Sequence, residues 1–268
     1  MLFRSYVLLI DFSKYFDNIQ HAKILEYLSQ FLNPDEYAFV ELCFKEFEVD
    51  VSYMSDEEYA VCMTTIFNSL LYAEIDKSLR TGEKIMKKSI GIGSQLSQIT
   101  GVYYPHEIDN YCTIVRGNRF YGRYCDDTYL FGTKEQLLDI LYNGIIPICN
   151  RLGIFINMKK TKIQNVEKEW ITFLKINYHI TENGDLVRKV HESTFHREHR
   201  RITKFYHLYK LGRMKLEDIV LCYKSWRGTY ERFDSGYEIL KLDNYFRQTF
   251  NLDYYFNPMK PIVPITFT

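Results

Sequence analysis

At 268 residues, with 46% hydrophobic and 25% charged positions, the chain can bury one large core or two modest ones, which excludes a disordered or fibrous protein. Six scattered cysteines without a Cys-x-x-Cys pair argue against a zinc site or disulfide scaffold, and no apolar run approaches the roughly 18–20 residues of a membrane span. The formal net charge is zero, yet residues 1–80 hold 6 Lys/Arg against 14 Asp/Glu and residues 156–215 hold 14 against 6, so neutrality hides a basic segment suited to phosphates or to a solvated helical face.

In chain order, residues 3–11 form a short apolar, β-rich run read as a buried strand ending at Asp11. Helical patterns follow at about 20–31, 34–48 and 57–80, broken at Asn33-Pro34 and by a polar stretch over 52–58. Gly91-Ile92-Gly93-Ser94 is a glycine-rich loop, and Ser94 is placed to cap a helix running to about 111. Residues 118–124 and 128–132 read as two strands joined by Cys125-Asp126-Asp127, with a helix over about 134–151 behind them. Strands near 162–166, 170–180 and 185–190 follow, with Glu182-Asn183-Gly184-Asp185 as a tight hairpin turn. From 193 onward the pattern is helical, in about three helices, before a tail carrying Pro258, Pro261 and Pro264.

This order predicts an α+β fold. A split βαβ core on an antiparallel sheet would bring Asp11 beside the 125–127 turn. Phosphoryl transfer to a 3′-hydroxyl uses two divalent cations, and Mg2+ takes hard oxygen ligands, so such a pair of acids suits that chemistry. Adjacent acids in an aromatic setting repel each other unless a cation lies between them. Taken alone, Tyr124-Cys125-Asp126-Asp127 is a weak motif, because Asp-Asp is also ordinary turn chemistry.

The motif has company, in order. Residues 10–19 read Ile-Asp-Phe-Ser-Lys-Tyr-Phe-Asp-Asn-Ile, and residues 91–98 read Gly-Ile-Gly-Ser-Gln-Leu-Ser-Gln. Residues 123–127 read Arg-Tyr-Cys-Asp-Asp, residues 151–163 run from Arg-Leu-Gly through Asn157 to Lys160-Thr161, and residues 173–174 are Phe-Leu. This series resembles the palm motifs of reverse transcriptases. The resemblance implies a right-hand polymerase palm over 1–190, a split βαβ antiparallel sheet with helices on one face and a primer-grip hairpin, followed by an α-helical thumb and tail over 191–268.

It further implies catalytic, metal-binding carboxylates at Asp11, Asp126 and Asp127, two Mg2+ ions replaceable by Mn2+, and Lys160 acting on pyrophosphate. Phe12, Phe16, Gly93, Ser97 and Gln98 match nucleotide-contacting positions. Phe16 either excludes a ribose 2′-hydroxyl or is a core residue at a helix start; as a gate it speaks against an RNA-synthesising polymerase. Arg197, Arg200, Arg201 and Lys204, with Trp226 and Arg227, match a thumb following the duplex backbone. The Ile92-Gly93…Ser97-Gln98 form is similar to bacterial reverse transcriptases of diversity-generating retroelements, which implies a cytoplasmic protein of bacterial or phage origin.

The implied partners are an RNA template, a DNA primer or RNA–DNA duplex, and deoxynucleoside triphosphates, with no membrane. Two departures stand out. Asp11 lies ten residues from Met1, where family members carry a fingers region, so a fingers-bearing or accessory partner is expected, or a fragment, or a degenerate protein. Lys175 stands where the primer-grip motif usually has Gly, which should alter that turn. The rival to an RNA-directed DNA polymerase is a catalytically impaired palm–thumb protein binding nucleic acid or serving phage defence; clustered acids, costly for a mere scaffold, favour the polymerase.

Overall fold

Residues 5–73 and 75–252 are described by the computed structural model. The tail carrying Pro258, Pro261 and Pro264 lies outside them, as do Phe3 and Arg4 of the first expected strand. The chain divides into two compact units at the 165/166 boundary.

The first unit is organised by its apolar opening strand. Tyr6–Ile10 forms β1, whose Val7 and Leu8 are fully buried. A single-turn 3-10 helix (Phe16–Asn18) leads into α1 (His21–Leu28) and α2 (Pro34–Lys45). Asn33 starts α2 with a capping box: its side chain accepts from the amides of Asp35 and Glu36, and the Glu36 carboxylate accepts from the Asn33 amide. Ser55 and Glu58 repeat that device at α3 (Asp56–Thr64). The helix expected over 57–80 is interrupted: α4 (Leu70–Ala73) and a 3-10 turn are separate, and Val49–Asp50 (β2) pairs with Ile85–Met86 (β3). The polar stretches between these pieces find hydrogen bonds in turns, so no single helical periodicity is sustained.

Ser94 caps α5 (Gln95–Tyr103), accepting from the Ser97 amide. Pro105, which cannot supply an amide, ends the helix before the expected 111, and α6 (His106–Asn110) restarts it and runs into a π-helical turn over Tyr111–Val115. Then β4 (Tyr121–Tyr124) and β5 (Asp127–Gly132) form the expected hairpin. Next, α7 (Lys134–Ile140) and α8 (Ile146–Leu152) sit either side of a second π-helical turn over Leu141–Ile145. The two π turns meet where the Tyr111 ring lies on the Gly144 backbone; a Cβ at 144 would stand 2.0 Å from that ring. Gly153, left-handed at φ 72°, ends α8.

With β6 (Lys162–Asn165) the sheet has the order β4-β5-β1-β6, antiparallel throughout. Leu8 pairs with Leu130 on one side and Ile163 on the other. Leu8, Ile10 and Leu130 pack with Ile108, Leu137 and Ile145 from the helices into one core, which is the α+β arrangement expected.

In the second unit, β7 (Ile171–Phe173), β8 (Ile176–Ile180) and β9 (Leu186–Val190) form an antiparallel meander. The single strand expected over 170–180 is two strands joined by Leu174-Lys175, both left-handed at φ 48° and 65°. That is the geometry of a tight hairpin turn, here without glycine or asparagine. The 182–185 turn forms as expected around Gly184 at φ 86°. Three helices follow, α9 (Glu192–Lys210), α10 (Leu216–Tyr230) and α11 (Gly236–Phe250), around Ile202, Ile219, Tyr223, Leu242, Phe246 and Phe250. Tyr223 stacks on Phe246 at 4.2 Å. No helix among the described residues is long and apolar enough to cross a membrane.

Candidate active site

Asp11 follows the last residue of β1, where the chain leaves the sheet but its backbone stays pinned. The Asp11 carbonyl accepts from the Asn157 amide at 2.8 Å, Ser13 donates to the Phe155 carbonyl at 2.7 Å, and Phe12 bridges Ile156. Asn157 then closes a turn, its carbonyl accepting from the amides of Lys160 (3.0 Å) and Thr161 (2.8 Å), and its side chain from Lys160 N at 3.3 Å. That turn delivers the Lys160 ammonium to the Asp11 carboxylate at 3.1 Å. The Asp11 side chain is 22% exposed and that of Lys160 66%, so the pair opens to solvent. Asn157 was quoted in the motif but given no role; the link from Asp11 to Lys160 runs through it.

The second carboxylate comes from the β4–β5 turn. Tyr124 pairs with Asp127, leaving Cys125 and Asp126 as the two-residue loop, with Cys125 left-handed at φ 55°. Asp126 is half-buried. Burial raises its pKa above the usual carboxylate range, the charge of Asp11 adds to that, and the Lys160 ammonium opposes it. The β1–β5 register, with Ile10 opposite Thr128, and the Asn157 turn bring Asp11, the Asp126 turn and Lys160 from three separate parts of the chain to one end of the sheet. Asp127 begins β5 as part of the ladder, and among the described residues no three of His, Cys, Asp or Glu group as metal ligands. The hard oxygen donors here include Asp11 and Asp126, with the Lys160 ammonium already drawn to Asp11. They fit Mg2+, which is commonly held by one or two carboxylates with the rest supplied by substrate and water.

Around this centre the glycine-loop residues divide. Gly93, at φ 127° with open space where a Cβ would lie, presents bare backbone in a conformation an L side chain rarely adopts. Gln98 is exposed on α5, whereas Ser97 is buried and spends its hydroxyl on Ser94. Phe16 is half-buried with its ring pressed on α5, so that a Cβ at Gly101 would stand 2.6 Å from its Cε1. Tyr15, beside it, donates to the Gly101 carbonyl at 2.7 Å. Phe12 requires a correction: its side chain is 3% exposed in the core, because the residue after Asp11 points to the opposite face, so it offers a nucleotide backbone only.

In the second unit, α9 shows Arg197, Arg200 and Lys204 to solvent on one face. Arg201 turns inward, pairing with Glu198 at 3.2 Å and donating to the Cys222 carbonyl at 3.1 Å. Arg227 is corrected as a nucleic-acid contact, and Trp226 is half-buried. Trp226 packs with Tyr223, Phe195 and Tyr230, and Arg227 is 4% exposed between Asp243 (3.2 Å) and Glu231 (2.9 Å). Both fall on the face of α10 that carries buried Ile219 and Tyr223, and helical spacing assigns that face to the core.

No curated protein sequence matches the chain. Among solved structures, telomerase from Candida albicans in complex with a TWJ fragment of telomeric RNA is similar at 15% identity and TM-score 0.46, over 94% of this chain and 41% of that one. Apo telomerase from Candida tropicalis is similar at 15% identity and TM-score 0.41, over 91% of this chain and 42% of that one. The chain thus spans about two fifths of the length of these telomerases. The family described as reverse transcriptase (RNA-dependent DNA polymerase) matches residues 4–178, a stretch that holds Asp11, the glycine loop, the Asp126 turn and Lys160. On that match, which covers well over half of its length, the chain belongs to the reverse transcriptase family.

Proposed function

We propose that this chain is the palm and thumb of an RNA-directed DNA polymerase, with Asp11 and Asp126 as its metal-binding carboxylates. One observation carries the reading: the β1–β5 register sets the strand-end acid Asp11 at the same end of the sheet as the hairpin-turn acid Asp126, and Lys160 is ion-paired with Asp11. In the proposed layout the palm comprises residues 1–190 and the thumb 191–268.

Divalent cations bound by these acids, Mg2+ or Mn2+, would lower the pKa of a primer 3′-hydroxyl and stabilise the departing pyrophosphate. The chain's own residues do the rest. Lys160, ion-paired with Asp11 and largely exposed, is placed to neutralise or protonate the pyrophosphate as it leaves. The bare backbone at Gly93 admits a triphosphate closely, and Gln98 offers an amide to the nucleotide. Phe16, wedged on Gly101, rejects a ribose 2′-hydroxyl by simple bulk. Asp127 keeps the charge of the turn high and is assigned a supporting place. Arg197, Arg200 and Lys204 hold duplex phosphates without reading sequence. The partners on this reading are an RNA template, a DNA primer and deoxynucleoside triphosphates, with an accessory protein. The Ile92-Gly93…Ser97-Gln98 form favours a bacterial source close to diversity-generating retroelements.

The test is primer extension on an RNA template with Mg2+ or Mn2+. Asp126→Asn should abolish extension while preserving the fold. Full activity in that variant would remove Asp126 from the site.

A further inference from the structure

Arg123 is a residue to which the proposed chemistry gives no task. It lies on β4 two positions before the turn, and its side chain is 6% exposed. Every nitrogen of its guanidinium is engaged. Nε donates to Asp109 Oδ1 at 2.8 Å and Nη2 to Asp109 Oδ2 at 2.5 Å, a two-pronged pairing. Nη1 donates to the Cys125 carbonyl at 2.9 Å, and Nη2 also donates to the Val102 carbonyl at 2.7 Å. Tyr121, two residues earlier on the strand, donates its hydroxyl to Asp109 Oδ1 and so fixes the anchor.

The carbonyl that Arg123 holds belongs to the left-handed residue of the turn. Cys125 at φ 55° is in a left-handed conformation that an L residue rarely adopts and that persists where the surroundings impose it. The next peptide carries Asp126. The Val102 carbonyl lies on α5, the helix that bears Ser97 and Gln98. A single buried side chain thus ties the acid-bearing turn to the nucleotide-side helix, and Asp109 on α6 holds that side chain in place.

We propose that Arg123, anchored on Asp109, is the positioning residue that holds the Cys125-Asp126 turn in place at the end of the sheet where β1 delivers Asp11. The place of that turn in catalysis rests on the proposed polymerase function; the clamp itself does not. Lysine cannot substitute, because one ammonium cannot span three acceptors set in a fork.

The test uses the full chain and two readouts, amide hydrogen exchange along the chain and Mn2+ binding with single-nucleotide extension. In Arg123→Lys and Asp109→Asn, exchange should accelerate about tenfold or more at the β4–β5 turn and the C-terminal end of α5, with α9–α11 unchanged. Mn2+ half-saturation should rise, and kcat fall, about 10–100-fold, while the KM for the nucleotide moves by less than about twofold. Unaltered exchange at the turn in both variants overturns the clamp. If Arg123→Lys melts the whole unit, Tyr121→Phe should still give a smaller change confined to the turn, and uniform acceleration there overturns it as well. Faster exchange at the turn in the variants, beside a wild-type chain that neither binds Mn2+ nor extends a primer, supports the clamp and sinks the polymerase reading.

Discussion

Glu198 gives the sharpest quantitative prediction. It sits on the buried side of α9 with its side chain 2% exposed, and Arg201 Nη2 at 3.2 Å is its ion-pair partner. Burial pushes its pKa up to about 7 against an ordinary value of 4.5, and Arg201 offsets only part of that. The folded state therefore holds this proton more tightly than the unfolded chain does. The associated stability is complete below about pH 4.5 and is lost as pH rises through about 7. At roughly 1.36 kcal/mol per pKa unit the loss is about 3 kcal/mol. Glu198→Gln keeps the shape of the protonated form and has no proton to lose. Urea denaturation at steps from pH 5 to 8 measures the effect; both tryptophans, Trp170 and Trp226, lie in this unit and report on it by fluorescence. The stability difference, variant minus wild type, should grow by about 3 kcal/mol across that range. A difference that stays flat with pH would refute the reasoning, since no other carboxylate differs between the two proteins.

Two further outcomes follow from the second unit. Lys175→Gly should stabilise by about 1 kcal/mol, because glycine meets φ 65° without the roughly 1–2 kcal/mol an L residue incurs, less its greater freedom when unfolded; a lowered denaturation midpoint would contradict this. Arg200→Ala should reduce the slope of log K against log salt for duplex binding by about 1, whereas Arg227→Lys should lower stability and leave the slope alone. An unchanged slope in Arg200→Ala would return α9 to a solvated surface.

The sequence by itself determined the parts whose signal is local. Residues 6–10 bury as a strand because they are a short, unbroken apolar and aromatic run, Asn33 and Ser94 announce helix starts through their own caps, and the ordered motifs name the acids. The burial of Arg227 was not legible because charge says nothing about which face of a helix is covered; only packing against α11 made it the partner of Asp243. The turn at Leu174-Lys175 was expected from the primer-grip resemblance alone, since no glycine or asparagine marks it, and its left-handed pair lies where Phe173 pairs with Ile176.

The site divides in the same way. Asp11, Asp126 and Lys160 were legible as residue types in order, and the split βαβ order set Asp11 beside the 125–127 turn, but the contacts that hold them there were not legible. Nothing local says that the amide of Asn157 will meet the Asp11 carbonyl, or that Arg123 will find Asp109 and the Cys125 carbonyl together. Such contacts join segments far apart in the chain, and their energy exists only once the antiparallel sheet has set β1 between β5 and β6. Sequence chose the chemistry; the register of four strands decided which groups could act on one another.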